Sequence, residues 1–388
     1  MATEIPAGFE KIAAEMAEAQ ATLLGRLDEM GYVIDEYPTR LGLGNPEGVA
    51  AARAYPIQGV LKYHGMPDWR WRTAYLPSIS LNNDAAETWT VVEFDPALAG
   101  DELTMNGAKE SGRTVERVSQ MLDVLRQIAG VTAGARVTSR NITKASKTGK
   151  GLGTSASASA SLAMASIAAL FGPKATQNAR FVTATARLLA GSGCRSAAGG
   201  VALWLSYPGV AHEDSFAVRL DAAGQMADVR LITVPLDSRL GLKTESAHSD
   251  AASSSFFKCW MRNRLGETLE CMDAIMAGDW RTMAQMAEVD SIQLHGVTMS
   301  GSRENKVFAW EPENITLFRL CNELREAGTP VYFSTDTGPT MVFITDAAGE
   351  DRVVDAIEGL RMGFEVVRGK IGGPAALVSV SEARGVVG

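Results

Sequence analysis

The run from Lys147 to Ser161 constrains this chain more than any other segment. Gly149, Gly151 and Gly153 and a series of small hydroxyl residues open directly into an alanine-rich helix expected over Ser161 to Leu170. The first turn of a helix carries backbone N–H groups without intrahelical partners, and the macrodipole adds partial positive charge at that end. An anion such as phosphate is therefore favoured there. The glycines let the backbone come close to phosphate oxygens at positive φ, with no Cβ in the way. Thr154, Ser155 and Ser157 offer hydroxyls to phosphate or to a magnesium ion, and Lys147 and Lys150 supply mobile charge. The spacing is not that of a Walker A loop, since no Lys-Ser or Lys-Thr pair follows the second glycine. Composition also admits a second reading, a flexible Gly/Ser/Ala linker leading into a small-residue helix.

At 388 residues the chain exceeds the usual size of one hydrophobic core, so two domains or lobes are expected. Its 46% hydrophobic and 21% charged residues are those of an ordinary globular protein. A net charge of −8 argues against nonspecific nucleic-acid binding, which needs many Lys and Arg against phosphate. Any phosphate site must then be locally basic. Cys194, Cys259, Cys271 and Cys321 lack C-x-x-C spacing, which argues against a zinc ribbon or disulfide framework and suggests buried thiols. The N-terminus carries Glu4 and Glu10 without a basic start or apolar core, and no apolar stretch approaches the roughly 18 residues of a membrane span. A cytoplasmic protein with no membrane partner is expected.

Phe9, Ile12, Met16, Leu23, Leu27 and Met30 recur at helical spacing and predict an amphipathic helix over Phe9 to Met30. With the Pro/Gly-rich connector from Tyr37 to Glu47, it sets residues 1–54 apart as an N-terminal helical extension. Short β-branched and aromatic runs at Gly59 to Tyr63, Ser78 to Leu81 and Thr88 to Phe94 read as strands, followed by a helix from Thr114 to Ala129. Beyond the glycine run come a helix over Gln177 to Leu189, a turn at Gly191 to Ser196 and a strand over Gly200 to Leu205. A second set of elements starts near Arg230. Helices are expected at Ser253 to Met276, Trp280 to Leu294 and Ile315 to Ala327, with strands at Val331 to Ser334 and Met341 to Thr345. The pattern is α+β, with an N-terminal lobe over residues 55–225 and a C-terminal lobe over 226–388.

Four sites hold polar or glycine-rich residues where burial alone would favour apolar ones. They are Lys62-Tyr63-His64-Gly65 at a strand end, the glycine run, Ser192-Gly193-Cys194-Arg195-Ser196, and Thr335-Asp336-Thr337-Gly338-Pro339 between two strands. Singly, each has a plain reading: a solvated strand end, a linker, an exposed salt bridge, a tight turn. An arginine fork among small residues also suits a carboxylate or phosphate, which it holds through two parallel hydrogen bonds.

In this order the four resemble the GHMP kinase superfamily and, within it, the mevalonate diphosphate decarboxylase branch. Leu61-Lys62-Tyr63-His64-Gly65-Met66 matches that branch's K-Y-W-G-K segment, and Gly151-Leu152-Gly153-Thr154-Ser155-Ala156-Ser157 matches its phosphate loop. Gly191-Ser192-Gly193-Cys194-Arg195-Ser196 matches G-S-A-C-R-S, Asp290-Ser291-Ile292-Gln293-Leu294-His295 matches D-S-x-x-F-H, and Thr335-Asp336-Thr337-Gly338-Pro339-Thr340 matches F-D-A-G-P-N. The resemblance spans roughly Tyr55 to Gly373. It implies the GHMP kinase fold, two lobes with the active site in the cleft between them.

The resemblance also implies roles. Asp336, Lys62 and Arg195 become the catalytic set, with Asp336 against the C3 hydroxyl of the substrate as base or orienting anion. Arg195 grips the C1 carboxylate, and Lys62 keeps Asp336 ionised. Tyr63, His64, Ser192 and Ser155 become substrate contacts. Lys147, Gly151, Gly153, Thr154, Ser155 and Ser157 hold ATP, with Ser155 also on Mg2+. Where the branch has Trp and a second Lys, this chain has His64 and Met66, and a lost cation suits a less charged substrate. Tyr55 to Met66 is similar to decarboxylases acting on mevalonate 5-phosphate. The reaction implied is its ATP-dependent decarboxylation to isopentenyl phosphate by a homodimer. Three alternatives are a diphosphate-acting decarboxylase, using Arg70 or Arg72 in place of the lost lysine, an ATP-independent mevalonate 3,5-bisphosphate decarboxylase, and a silent binding protein.

Overall fold

The structure, a computed structural model, describes residues 3–41, 48–144, 152–238 and 248–388. Lys147 and Gly151, both expected to hold ATP, lie outside the described residues, as does most of the connector before Glu47. Three sheets organise the chain: a six-stranded sheet and two four-stranded ones. The six-stranded sheet centres on Ala86–Asp95, which pairs with Val49–Ala54 on one side and Gly134–Thr143 on the other. A second sheet joins Ile57–Leu61, Ser78–Asn82, Val201–Trp204 and Ala217–Arg219. The third contains Val229–Val234, Val331–Thr335, Met341–Asp346 and Val367–Lys370.

The helix Thr154–Phe171 packs on the six-stranded sheet, and it starts a full two turns before the predicted alanine-rich segment. Its serines explain the difference. Ser157 bonds Thr88 at 2.6 Å and Ser161 bonds Thr90 at 2.7 Å, so hydroxyls that would oppose a buried helix instead rivet it to the sheet. This helix is long and apolar enough by composition to cross a membrane, contrary to the sequence reading. However, 78% of it is buried inside the protein, as expected of a core helix.

The segment 1–54 is not an appendage. Val49–Ala54 is an interior strand of the six-stranded sheet, flanked by Ala86–Asp95 and by Ala376–Val378 from the far C-terminus. The predicted N-terminal helix forms over Glu10–Glu29 and packs on Phe257–Ala277 of the C-terminal half. Its Leu23 and Leu27 are fully buried in a core that also contains Leu231, Met272, Ile275 and Ile344. The expected turn at Gly191 to Ser196 is instead occupied by a short helix, Gly193–Ala198. Cys259 is exposed, unlike the other three thiols, so the expectation of four buried cysteines fails there.

Leu23→Ala is expected to cost about 2–5 kcal/mol, because a helix anchored at both ends cannot collapse around the lost side chain. Urea unfolding should show a lower midpoint at unchanged slope; an unchanged midpoint would mean that the helix is peripheral.

Candidate active site

Two strand ends and one short helix converge on a cavity of about 740 Å³. The strand Ile57–Leu61 carries a register shift between Gly59 and Leu61 against its neighbour, and such irregularities re-aim the following side chain. Lys62 follows at once and lines the cavity. Asp336 follows Val331–Thr335 of the third sheet, and Arg195 comes from the helix Gly193–Ala198. The cavity is lined by all three.

Gly59 joins the two sheets. Its N–H donates to Asp336 Oδ1 at 3.2 Å, while its carbonyl accepts from Ser334 Oγ at 2.7 Å and Lys62 Nζ at 3.0 Å. A Cβ on residue 59 would sit 2.6 Å from Lys62 Cγ and 2.7 Å from Asp336 Oδ1, so only glycine lets base and cation meet here. Asp336 is fixed from behind by His295 Nε2, 2.9 Å from its carbonyl oxygen, and His295 stacks on Trp310 at 4.2 Å. Lys62 is fixed by Asp290, whose carboxylate accepts its backbone N–H at 2.5 Å and also holds Arg264 and Trp260. The aspartate of the D-S-x-x-F-H match is thus a buried support rather than a cavity residue.

Arg195 is only 2% exposed, its guanidinium lies over the Tyr63 and Trp204 rings, and its Nε and Nη1 make no hydrogen bond among the described residues. Buried donors of this kind are costly unless an acceptor meets them, and a planar carboxylate matches two adjacent guanidinium N–H groups. Burial lowers the Lys62 pKa to about 8, against the opposing pull of Asp290 and Asp336. Burial likewise raises Asp336, and the attraction of Lys62 and Arg195 does not overcome it. Lys62 therefore restrains the rise of the Asp336 carboxyl, the direction in which the sequence expectation has it act.

Other expected contacts divide. Tyr63, Ser192, Gly153 and Ser155 line the cavity. Gly153 has φ of 68° and caps the helix Thr154–Phe171, with Ser155 exposed beside it. Thr154 is half-buried and outside the cavity lining, and Ser157 is fully buried on Thr88, so the Ser157 side chain is taken up by helix-to-sheet packing rather than by the cavity. His64 is also wrongly assigned as a substrate contact: it is fully buried against Thr298 and His248, and burial lowers its pKa to about 3. Met66 lines the cavity where the resemblance places a lysine. Cys194 gives its thiol hydrogen to Gly191 O, and burial raises its pKa to about 12, so it is no nucleophile.

Sequence reasoning missed Gln58, Trp69, Arg117, Asp237, Ser238 and His248, all of which line the cavity, and it named Arg72 only as an alternative. Arg117 sits on the helix Arg113–Ala129, predicted from Thr114, where a charged residue reads as a solvated face. Arg72 has a sequence signal only in hindsight: it is 8% exposed and holds φ of 48°, a left-handed conformation that costs a non-glycine residue about 1–2 kcal/mol. With Lys62, Arg72, Arg117 and Arg195 against Asp237 and Asp336, the cavity is cationic in an acidic chain.

Residues 54–217 match the diphosphomevalonate decarboxylase-like N-terminal domain. The chain is 33% identical to the phosphomevalonate decarboxylase of Haloferax volcanii over 86% of its own length and 99% of that relative. The chain belongs to the mevalonate phosphate and diphosphate decarboxylase family. It has the GHMP kinase fold of that family and is a carbon–carbon lyase. Among solved structures it resembles the mevalonate diphosphate decarboxylase of Staphylococcus aureus, with 26% identity and a TM-score of 0.77 over 86% of this chain and 98% of the other. Another match, at 26% identity and a TM-score of 0.76, is a complex with MVAPP, AMPPCP and magnesium, covering 86% of this chain and 99% of that one.

All four histidines are buried with depressed pKa values, so catalysis in the free enzyme should titrate through Asp336 and Lys62. Lys62 carries its charge below about pH 8 and loses it above. The value of kcat/KM, which reports the free enzyme, should rise as Asp336 ionises and fall about tenfold per pH unit beyond the Lys62 pKa. Lys62→Arg should lift the basic limb upward. A profile that stays flat well above pH 8 in the native enzyme would exclude Lys62 from the reaction.

Proposed function

We propose that this enzyme converts mevalonate 5-phosphate to isopentenyl phosphate, consuming ATP. The observation that carries this reading is Arg195, a buried guanidinium whose Nε and Nη1 have no acceptor among the described residues, beside Asp336 and Lys62 in one cavity. A carboxylate on Arg195 and a hydroxyl on Asp336 are what a 3-hydroxy acid presents. The γ-phosphoryl group of ATP passes to the C3 oxygen as Asp336 accepts or orients the hydroxyl proton. The C1–C2 bond then breaks, its electron pair forms the C2–C3 double bond, and the C3–O bond releases phosphate as CO₂ departs. Arg195 holds C1 so that the breaking bond faces the leaving phosphate. The Lys62 ammonium offsets charge on the transferring group.

Gly153, Ser155 and the first-turn N–H groups of the helix Thr154–Phe171 fit a nucleotide phosphate, and the Ser155 hydroxyl would be the side-chain oxygen offered to a bound cation. Among the described residues no group of three His, Cys, Asp or Glu side chains is placed to hold a metal. Mg2+ bound here would therefore rest on Ser155 and phosphate oxygens, and it supplies charge neutralisation on the phosphates. The monophosphate is favoured over the diphosphate by Met66, which lines the cavity without a charge. The relationship to the Haloferax volcanii protein supports the same choice.

The test is incubation of the purified enzyme with mevalonate 5-phosphate, with and without MgATP, followed by product identification. Isopentenyl phosphate and CO₂ are expected only with MgATP. Asp336→Asn should lower kcat by several orders of magnitude while ATP affinity stays near that of the native enzyme. Near-normal turnover in that variant, or a preference for the diphosphate, would overturn the assignment.

A further inference from the structure

We propose that Arg72 and His248 form the subsite for the substrate's 5-phosphate. This inference rests on the reading that the substrate is mevalonate 5-phosphate. Both side chains line the cavity and are more than nine-tenths buried, at 8% and 6% exposure. Neither belongs to the Lys62, Arg195 and Asp336 cluster, and each interacts with the other electrostatically.

The chain invests structure in both positions. Arg72 closes a tight loop in which Asp68 pairs with Thr73 as an isolated bridge and Asp68 Oδ1 accepts the Trp71 N–H at 2.8 Å. Arg72 holds a left-handed backbone, unusual for a side chain of this size, and lines the cavity with its guanidinium 6.0 Å from the Trp69 ring. Strained backbone at a cavity wall marks a position where the side chain's direction matters. His248 accepts the Gly65 N–H on Nδ1 at 3.0 Å, which places its remaining proton on Nε2. The ring lies parallel to Tyr63, 10° from coplanar at 5.1 Å, so its direction is also fixed. Burial keeps this imidazole neutral.

The chemistry is that of a phosphate monoester: one delocalised cation with several donors, and one neutral N–H donor. Tyr63 touches both recognition groups: the Arg195 guanidinium lies 5.2 Å from its ring centroid and His248 stacks on the ring at 5.1 Å. A substrate gripped by its carboxylate at Arg195 and by its phosphate at Arg72 and His248 would present its C3 to Asp336, which lines the same cavity. A neutral histidine in place of a second cation also disfavours a diphosphate, whose extra charge would lack a partner.

Binding of mevalonate 5-phosphate, of unphosphorylated mevalonate and of ATP should be measured calorimetrically for the native enzyme, Arg72→Gln, Arg72→Lys and His248→Phe, with thermal melts alongside. Arg72→Gln should weaken mevalonate 5-phosphate about 10- to 100-fold, with partial recovery in Arg72→Lys. His248→Phe, which keeps the stack on Tyr63, should weaken it about five- to tenfold. Mevalonate and ATP affinities should change less than twofold in all three, a selectivity that a merely structural role would not give. The proposal is overturned if Arg72→Gln binds mevalonate 5-phosphate as the native enzyme does, if mevalonate loses affinity in parallel, or if the loss falls on ATP instead. Native enzyme that fails to turn over mevalonate 5-phosphate would instead sink the substrate assignment on which the inference rests.

Discussion

The catalytic arrangement depends on one backbone unit, the peptide at Gly59. Its amide holds the carboxylate of Asp336 and its carbonyl receives both the Ser334 hydroxyl and the Lys62 ammonium. Through these bonds a strand of one sheet and a strand of another share a seam, and the seam sets the spacing of base and cation. Residues 275 and more apart in sequence meet here, so the site exists only once both lobes have folded.

The electrostatics follow from that burial. Three charged groups share one cavity, and desolvation acts on each of them: it lowers Lys62, lowers Arg195 and raises Asp336. Desolvation drives a carboxylate and an ammonium toward each other's proton affinity, and mutual attraction opposes it. The outcome is a carboxylate of raised proton affinity next to an ammonium of lowered proton affinity. Asp290 and Arg264 sit behind Lys62 as a buried ion pair at 2.7 Å, and they hold the lysine backbone at both its N–H and its carbonyl. Their contribution is to geometry, since a buried ion pair adds little net stability.

The sequence was most legible where chemistry demands unusual residues in apolar surroundings. The lysine, arginine and aspartate of the cavity were readable in order, because no core needs them, and the helices at Glu10–Glu29 and Arg113–Ala129 were readable from spacing. Val49–Ala54 and Gly134–Thr143 were not. The first is alanine-rich and the second alternates with charges, and only pairing on both sides makes them strands. Ser157 misled because a serine near a glycine loop looks like a phosphate ligand, whereas here it serves helix-to-sheet packing. His64 misled because its motif neighbours face the cavity while its own ring turns into the core. Arg72 and His248 stand outside the matched segments, and their convergence is set by a tight loop and by a ring stack, neither of which has a periodic signature.

The account's central claim is that Arg195 and Asp336 bracket the reacting carbon atoms. A crystal structure of the enzyme with mevalonate 5-phosphate tests it most directly. The C1 carboxylate should lie within hydrogen-bonding distance of the Arg195 guanidinium, with the C3 hydroxyl on Asp336. A substrate bound the other way round, with its phosphate on Arg195 and its carboxylate remote from it, would contradict the mechanism.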